Sequence, residues 1–147
     1  MKKGRGKAKG SGFERQIAKD VVKAFKRFGI TQRECWRSIN SGGHVIAAGD
    51  LEMSDRLMEL FPYVVECKFR KKIRWQNFML SGNNEEKCWL RQASQAAKKL
   101  KNMTPILVMK ENFGPIYVMF AGERNWSPAL RRWSEFLRYT VDEARER

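Results

Sequence analysis

Phe13, Ile17, Val21, Phe25 and Phe28 recur at spacings of four, four, four and three, so they share one face of a helix predicted over residues 13–28. Ser11 stands where an N-cap belongs, Glu14 three residues later completes a capping box, and Gly29 ends the helix. Residues 34–39 read as a first strand, which runs into the polar loop Asn40-Ser41-Gly42-Gly43-His44. Asp50 opens a second extended piece, and 54–61 fits a short helical turn or a strand that Pro62 ends. Residues 63–69 form a third strand, followed by Arg70-Lys71-Lys72-Ile73-Arg74-Trp75, a basic stretch whose aromatic reads as exposed. After a loop at 81–84, a second helix covers about 86–102, with Trp89, Ala93, Ala96, Ala97 and Leu100 inward and Gln92 beside that face. Strands at 106–109 and 116–120, joined by a turn at 111–115, make a hairpin. Ser127-Pro128 is an N-cap and N1 pair for a last helix with the stripe Leu130, Trp133, Leu137, Val141 and Ala144.

Helix, three strands, helix, two strands, helix is an α/β order, and it predicts one small mixed sheet flanked by helices on both faces. At 147 residues and 42% hydrophobic content, the chain is one domain with a substantial core. Three cysteines, Cys35, Cys67 and Cys88, are odd in number and far apart, which argues against a disulfide framework or a zinc knuckle. With His44 as the one imidazole, no zinc site is expected. The basic N-terminus lacks an apolar h-region, and no apolar run approaches membrane-spanning length, so the expected compartment is a reducing cytoplasm with no membrane partner.

Charge narrows the class. Thirty Lys and Arg face 16 Asp and Glu, for a net +14 and a pI of about 10.1. Residues 1–12 hold five cations and no acid, leaving 25 basic against 16 acidic side chains in the rest. A folded domain with that surplus suits phosphate backbones. Residues 1–12 have nothing to bury and read as a flexible basic arm, either solvated or ordered on a polyanion.

The candidate chemistry lies in Gly49-Asp50 and, after fifteen intervening residues, Glu66-Cys67-Lys68. Side chains alternate along a strand, so Glu66, Lys68 and Val64 share one face while Val65, Cys67 and Phe69 turn into a core. That face presents a carboxylate for a hard cation with an ammonium beside it, the arrangement of PD-(D/E)XK nucleases. Asp50 supplies a second carboxylate, and the Cys67 backbone carbonyl a third donor to one or two Mg²⁺ ions, with Mn²⁺ able to substitute. Lys68 would hold or deprotonate the attacking water. The bland alternative is a surface strand whose Glu66 and Lys68 pair across solvent.

Several segments in one order resemble archaeal-type Holliday junction resolvases. Lys9-Gly10-Ser11-Gly12-Phe13-Glu14-Arg15 resembles the KGxxxER helix start of that family, and Arg37-Ser38-Ile39-Asn40-Ser41-Gly42 its R-S-x-x-S-G loop. Gly49-Asp50 stands where the family has Pro-Asp, a replacement expected to be harmless, and Glu66-Cys67-Lys68 stands for its E-V-K. Trp89-Leu90-Arg91-Gln92-Ala93 and Met103-Thr104-Pro105-Ile106-Leu107-Val108 are similar to bacteriophage-borne members. The resemblance implies a restriction-endonuclease-like core and a homodimeric, Mg²⁺-dependent enzyme nicking four-way DNA junctions in the cytoplasm, the host's if phage-encoded, without a small-molecule cofactor. It makes Glu14 a catalytic acid and metal ligand as well as a cap, sets Ser41 at the phosphate, and gives Gln92 a part in placing water or phosphate. The stretch 51–62 is longer than the family's hairpin, so Asp55 competes with Asp50 as the ligand.

The chain then divides into the arm at 1–12, a nuclease domain at 13–126, and a helix at 127–147 that covers the core or forms a dimer interface. DNA contacts are expected from Lys2, Lys3, Arg5, Lys7 and Lys9, from Arg15, Arg37 and Ser41, and from Arg70, Lys71, Lys72, Arg74 and Trp75. His44 fits a solvent-facing or phosphate-contacting residue better than a general base. Other PD-(D/E)XK activities, on duplexes, flaps or restriction sites, remain open, as does a non-catalytic DNA-binding protein. No separate sequence-reading domain is evident, which favours recognition of shape.

Overall fold

Strand β3 (Tyr63–Arg70) organises the molecule, because everything that builds the candidate site attaches to it. The computed structural model describes residues 3–38, 49–122 and 130–147. β3 pairs in parallel with β4 (Thr104–Glu111), which pairs antiparallel with β5 (Tyr117–Phe120), and β5 with the short β6 (Arg131–Arg132). A parallel pair needs a crossover, and α3 (Glu85–Ala97) supplies it, packing on β3 and β4. The expected single sheet is instead a four-stranded mixed sheet plus a two-stranded hairpin. That hairpin, β1 (Cys35–Arg37) with β2 (Leu51–Met53), touches β3 through one bridge, Gly49 to Val65.

Residues 54–61 resolve as a helix, α2 (Asp55–Leu60), because Ser54 caps it, its Oγ accepting from the Leu57 amide at 3.1 Å. Helix α1 (Lys3–Ala24) begins ten residues before Phe13. Residues 3–12, expected as a flexible arm, are therefore helical. Lys and Ala favour helix, whereas each of four glycines costs about 1 kcal/mol relative to Ala. Docking tips the balance: the Lys9 ammonium donates to Asn112 Oδ1 and lies 4.1 Å from the centre of the Phe69 ring. Ser11 is then interior to the helix, its Oγ donating to the Ala8 carbonyl, so it is not an N-cap and forms no capping box with Glu14. Gly29 ends the following tight turn, Lys26–Phe28, with φ of 81°.

Two cores sandwich the sheet. Phe13, Ile17 and Val21 of α1, with Phe25 just past its end, pack with Val65, Cys67, Ile106 and Val108 on one face. On the other, Trp89 of α3 packs with Leu107, Met109, Met119, Ile73 and Phe78. Ser127 and Pro128 lie outside the described residues; helix α4 runs Trp133–Arg145, leaving Leu130 exposed ahead of it. Its stripe Trp133, Leu137, Val141 and Ala144, with Phe136 and Thr140, is buried in the first core. Side-chain bonds help fasten it: Trp133 Nε1 donates to Asp20 at 3.0 Å, and the Tyr63 hydroxyl donates to Glu143 at 2.8 Å. Of the two uses open to this stripe, its described part makes the internal one, covering the protein's own core. No described helix is long and apolar enough to cross a membrane.

Candidate active site

Alternation along β3 sorts its side chains as expected. Val65 and Cys67 are buried in the α1-side core, and Phe69 packs edge-on against Phe13 with ring centres 5.4 Å apart. Glu66 and Lys68 point to the opposite face, in register with Leu107 and Met109. Their side chains are 14% and 15% exposed, with Lys68 Nζ 3.7 Å from Glu66 Oε1. At that exposure they are not a solvated surface pair.

Asp50 reaches the same site along the free edge of β3. Its amide donates to the Val65 carbonyl at 2.7 Å, and its Oδ2 accepts from the Cys67 amide at 2.7 Å. Its own carbonyl accepts from the Ser38 amide, tying in the end of β1. Asp55 sits apart, exposed in the first turn of α2, so Asp50 is the acid beside Glu66. Gly49 makes this approach possible. Its φ is +75°, and a Cβ there would stand 2.3 Å from the Val65 carbonyl oxygen. The glycine that replaces proline is thus what this backbone requires: neither proline nor any side chain fits here.

Electrostatics mark the cluster as frustrated without a cation. Burial first, then the Asp50 charge, push the Glu66 carboxyl up to about 7, while Lys68 opposes. Burial also raises Asp50, against the pull of the Cys67 amide, Lys68 and Arg37. Glu14, on α1, is raised by burial and by Asp50 despite accepting from Arg37 Nε at 3.2 Å. Arg37, expected only as a DNA contact, is therefore an internal counter-charge of the site. The residue after it, Ser38, has a buried Oγ without a hydrogen-bond partner among the described residues. Two half-buried carboxylates, an all-oxygen donor set and raised proton affinity fit a hard divalent cation. Among the described residues, no three His, Cys, Asp or Glu side chains form a ready cage. A hard cation can be held by one or two carboxylates plus water and phosphate, and Asp50 and Glu66 are the pair that could hold one here.

The remaining expected residues scatter around this centre. Lys2 and the loop residues Ser41 and His44 lie outside the described residues. The backbones of Lys3 and Arg5 lie in α1, Lys7 and Arg15 are exposed on it, and Lys9 is docked as above. Gln92 is exposed on α3, and no hydrogen bond joins it to Asp50, Glu66 or Lys68. Arg70, Lys71, Lys72 and Arg74 line a cleft of about 680 Å³ whose floor includes Trp89, with the Arg70 guanidinium 5.2 Å from the Trp89 ring. Trp75 is not the exposed aromatic expected. Its ring packs edge-on against Tyr117, and its Nε1 donates to Glu111, which also accepts from the Ile73 amide. Trp75 therefore anchors the basic stretch to β4. Gly49 and Arg37 carried the one sequence signal for these roles, their places next to Asp50 and at a strand end.

A mixed sheet between helices, with Asp50 and Glu66-Cys67-Lys68 gathered at one edge, is the core of a PD-(D/E)XK nuclease. The description "phage putative PDDEXK endonuclease" matches residues 5–145, nearly the whole chain, and the chain belongs to that family. No curated protein and no solved structure matches it. Membership makes the chain an endonuclease of a class that generally uses divalent metal, with nucleic acid as its substrate.

Proposed function

We propose that this chain is a structure-selective endodeoxyribonuclease that resolves four-way DNA junctions by paired, metal-dependent nicks. The observation that carries the reading is the gathering of Asp50, Glu66 and Lys68 at one sheet edge in a domain of net charge +14. Asp50 and Glu66 would hold Mg²⁺ or Mn²⁺, with the Cys67 carbonyl and Glu14 as further donors. When bound, the metal neutralises charge on the scissile phosphate and the departing oxygen. Lys68 orients the attacking water or takes its proton, and its separation of 3.7 Å from Glu66 keeps it within the site. Arg37 is a phosphate contact once Glu14 turns to metal. Ser41 and Gln92 take their places at phosphate and water by resemblance to junction resolvases. Three free cysteines suit a reducing cytoplasm, the host's if phage-encoded.

Cleavage of a synthetic four-way junction, beside its matched duplex and a flap, tests this. Symmetric nicks on the junction alone, dependent on Mg²⁺, are expected. Asp50→Asn and Lys68→Ala should each abolish them while leaving junction binding near wild type. Equal cutting of duplex or flap would make the chain a different PD-(D/E)XK nuclease, and no cleavage of any DNA would leave a binding protein.

Two nicks related by symmetry need two sites, and the described residues hold one such acid cluster, so a two-fold homodimer is expected. Sedimentation at micromolar concentration should give a mass near twice 17.2 kDa. A monomer, free and on a junction, would defeat the paired-nick mechanism. The N-terminal cations Lys2, Lys3, Arg5 and Lys7 are expected to bind phosphate. Changing all four to Gln should reduce the binding-versus-salt slope by up to ~3–4, since each released counterion contributes about 0.9. An unchanged slope would show that this end of α1 stays clear of DNA.

A further inference from the structure

Phe113 stands in the turn between β4 and β5, fully exposed and with φ of +62°. Both properties are unfavourable: the ring is left in water, and a left-handed backbone strains any residue but glycine. It is the most exposed of the large apolar side chains among the described residues, and it adds nothing to either core. The fold does not need a phenylalanine there.

Its surroundings point to a ligand. The Asn112 amide donates to the Arg70 carbonyl, and the Asn112 side chain accepts from Lys9, so the turn is pinned between α1 and the basic stretch. Glu111 fixes that stretch through the Ile73 amide and Trp75. The turn is thus tied to a basic neighbourhood: Asn112 contacts the backbone of Arg70 and Lys71, and Lys9 and Lys110 both lie over the nearby Phe69 ring. A protruding aromatic on a turn tied to a basic stretch suits a nucleobase between phosphates; a protein partner would call for a wider apolar patch.

We infer that Phe113 stacks on unpaired or unstacked bases at the branch of the DNA substrate. This rests on the junction-nuclease reading and names the element that distinguishes a branch from a duplex. The register supports the reach. Glu66 lies beside Leu107 and Arg70 beside Glu111, so the turn is roughly 15–20 Å beyond Glu66 at ~3.3 Å per residue. That is about five nucleotide steps, so one DNA arm spans both.

The test compares wild type, Phe113→Gly and Phe113→Trp for binding, in EDTA, to a four-way junction carrying 2-aminopurine at the branch and to its matched duplex. Glycine relieves the left-handed strain, so Phe113→Gly should melt no lower than wild type. It should bind the junction about tenfold more weakly, leave duplex affinity unchanged and lose the 2-aminopurine fluorescence change, while Phe113→Trp retains both. If Phe113→Gly keeps the junction preference and the fluorescence change of wild type, the inference fails and the function reading stands. A wild type that binds junction and duplex alike overturns both. A change in sedimenting mass on Phe113→Gly would assign the ring to a protein contact and also overturn the inference.

Discussion

Glu66→Gln is expected to abolish DNA cleavage and, in the same protein, to raise the melting temperature in EDTA. The two effects share a cause. Glu66 is held at about 7, against an ordinary 4.5, by burial and by the Asp50 charge. A carboxyl raised on folding favours the folded state fully below about 4.5, and that contribution is lost as pH rises through about 7. Metal-free wild type should therefore lose stability relative to Glu66→Gln across this window, by roughly 2–3 kcal/mol at pH 8. In Tm that is on the order of 5 °C or more, readable by circular dichroism at pH 4.5 and pH 8. Adding Mg²⁺ should raise the Tm of wild type and leave that of Glu66→Gln nearly unmoved. Equal melting of the two proteins at pH 8 in EDTA would mean that Glu66 is not strained, and retained cleavage would remove it from the chemistry.

Restoring proline before the aspartate is the second large effect, and it runs against the resemblance that suggests it. Proline requires φ near −65°, whereas Gly49 holds +75° with a Cβ position 2.3 Å from the Val65 oxygen. Relief requires the chain to move off β3, breaking the Asp50–Val65 and Asp50–Cys67 hydrogen bonds that aim the carboxylate. Gly49→Pro and Gly49→Ala are expected to cut nicking at least ~100-fold, since a displacement near 1 Å has that effect. Stability should fall by about 2–4 kcal/mol, from backbone strain and lost hydrogen bonds. Junction nicking and thermal melts of both variants check this. Wild-type activity in Gly49→Pro would show that Asp50 is held in some other way.

Much of this arrangement was legible in the residues. The period-four stripe of α1, the alternation of β3 and the β4–β5 hairpin follow from local patterns, and the structure bears them out. Local pattern failed where a distant contact decides. Lys9 gains Asn112, 103 positions away, and carries helix into a glycine-rich stretch that reads as unstructured. Trp75 looks exposed among cations, yet Glu111 draws it down onto β4. The acids Asp50 and Glu66 could be chosen from spacing, but the positive φ of Gly49 and the Arg37–Glu14 pair depend on how the β1–β2 hairpin meets the sheet. No periodicity encodes that meeting.

The position of α4 in the chain sets an order of events during synthesis. Asp50, Glu66 and Lys68 leave the ribosome well before Trp133 and Phe136, yet those aromatics close the core against Phe61, Tyr63 and α1. Until they arrive, α1 already covers its face of β3, but the aromatic cluster around Phe61 and Tyr63 is incomplete. A nascent chain therefore completes this end of its core only as α4 seats, after the strands that carry the candidate site have been made.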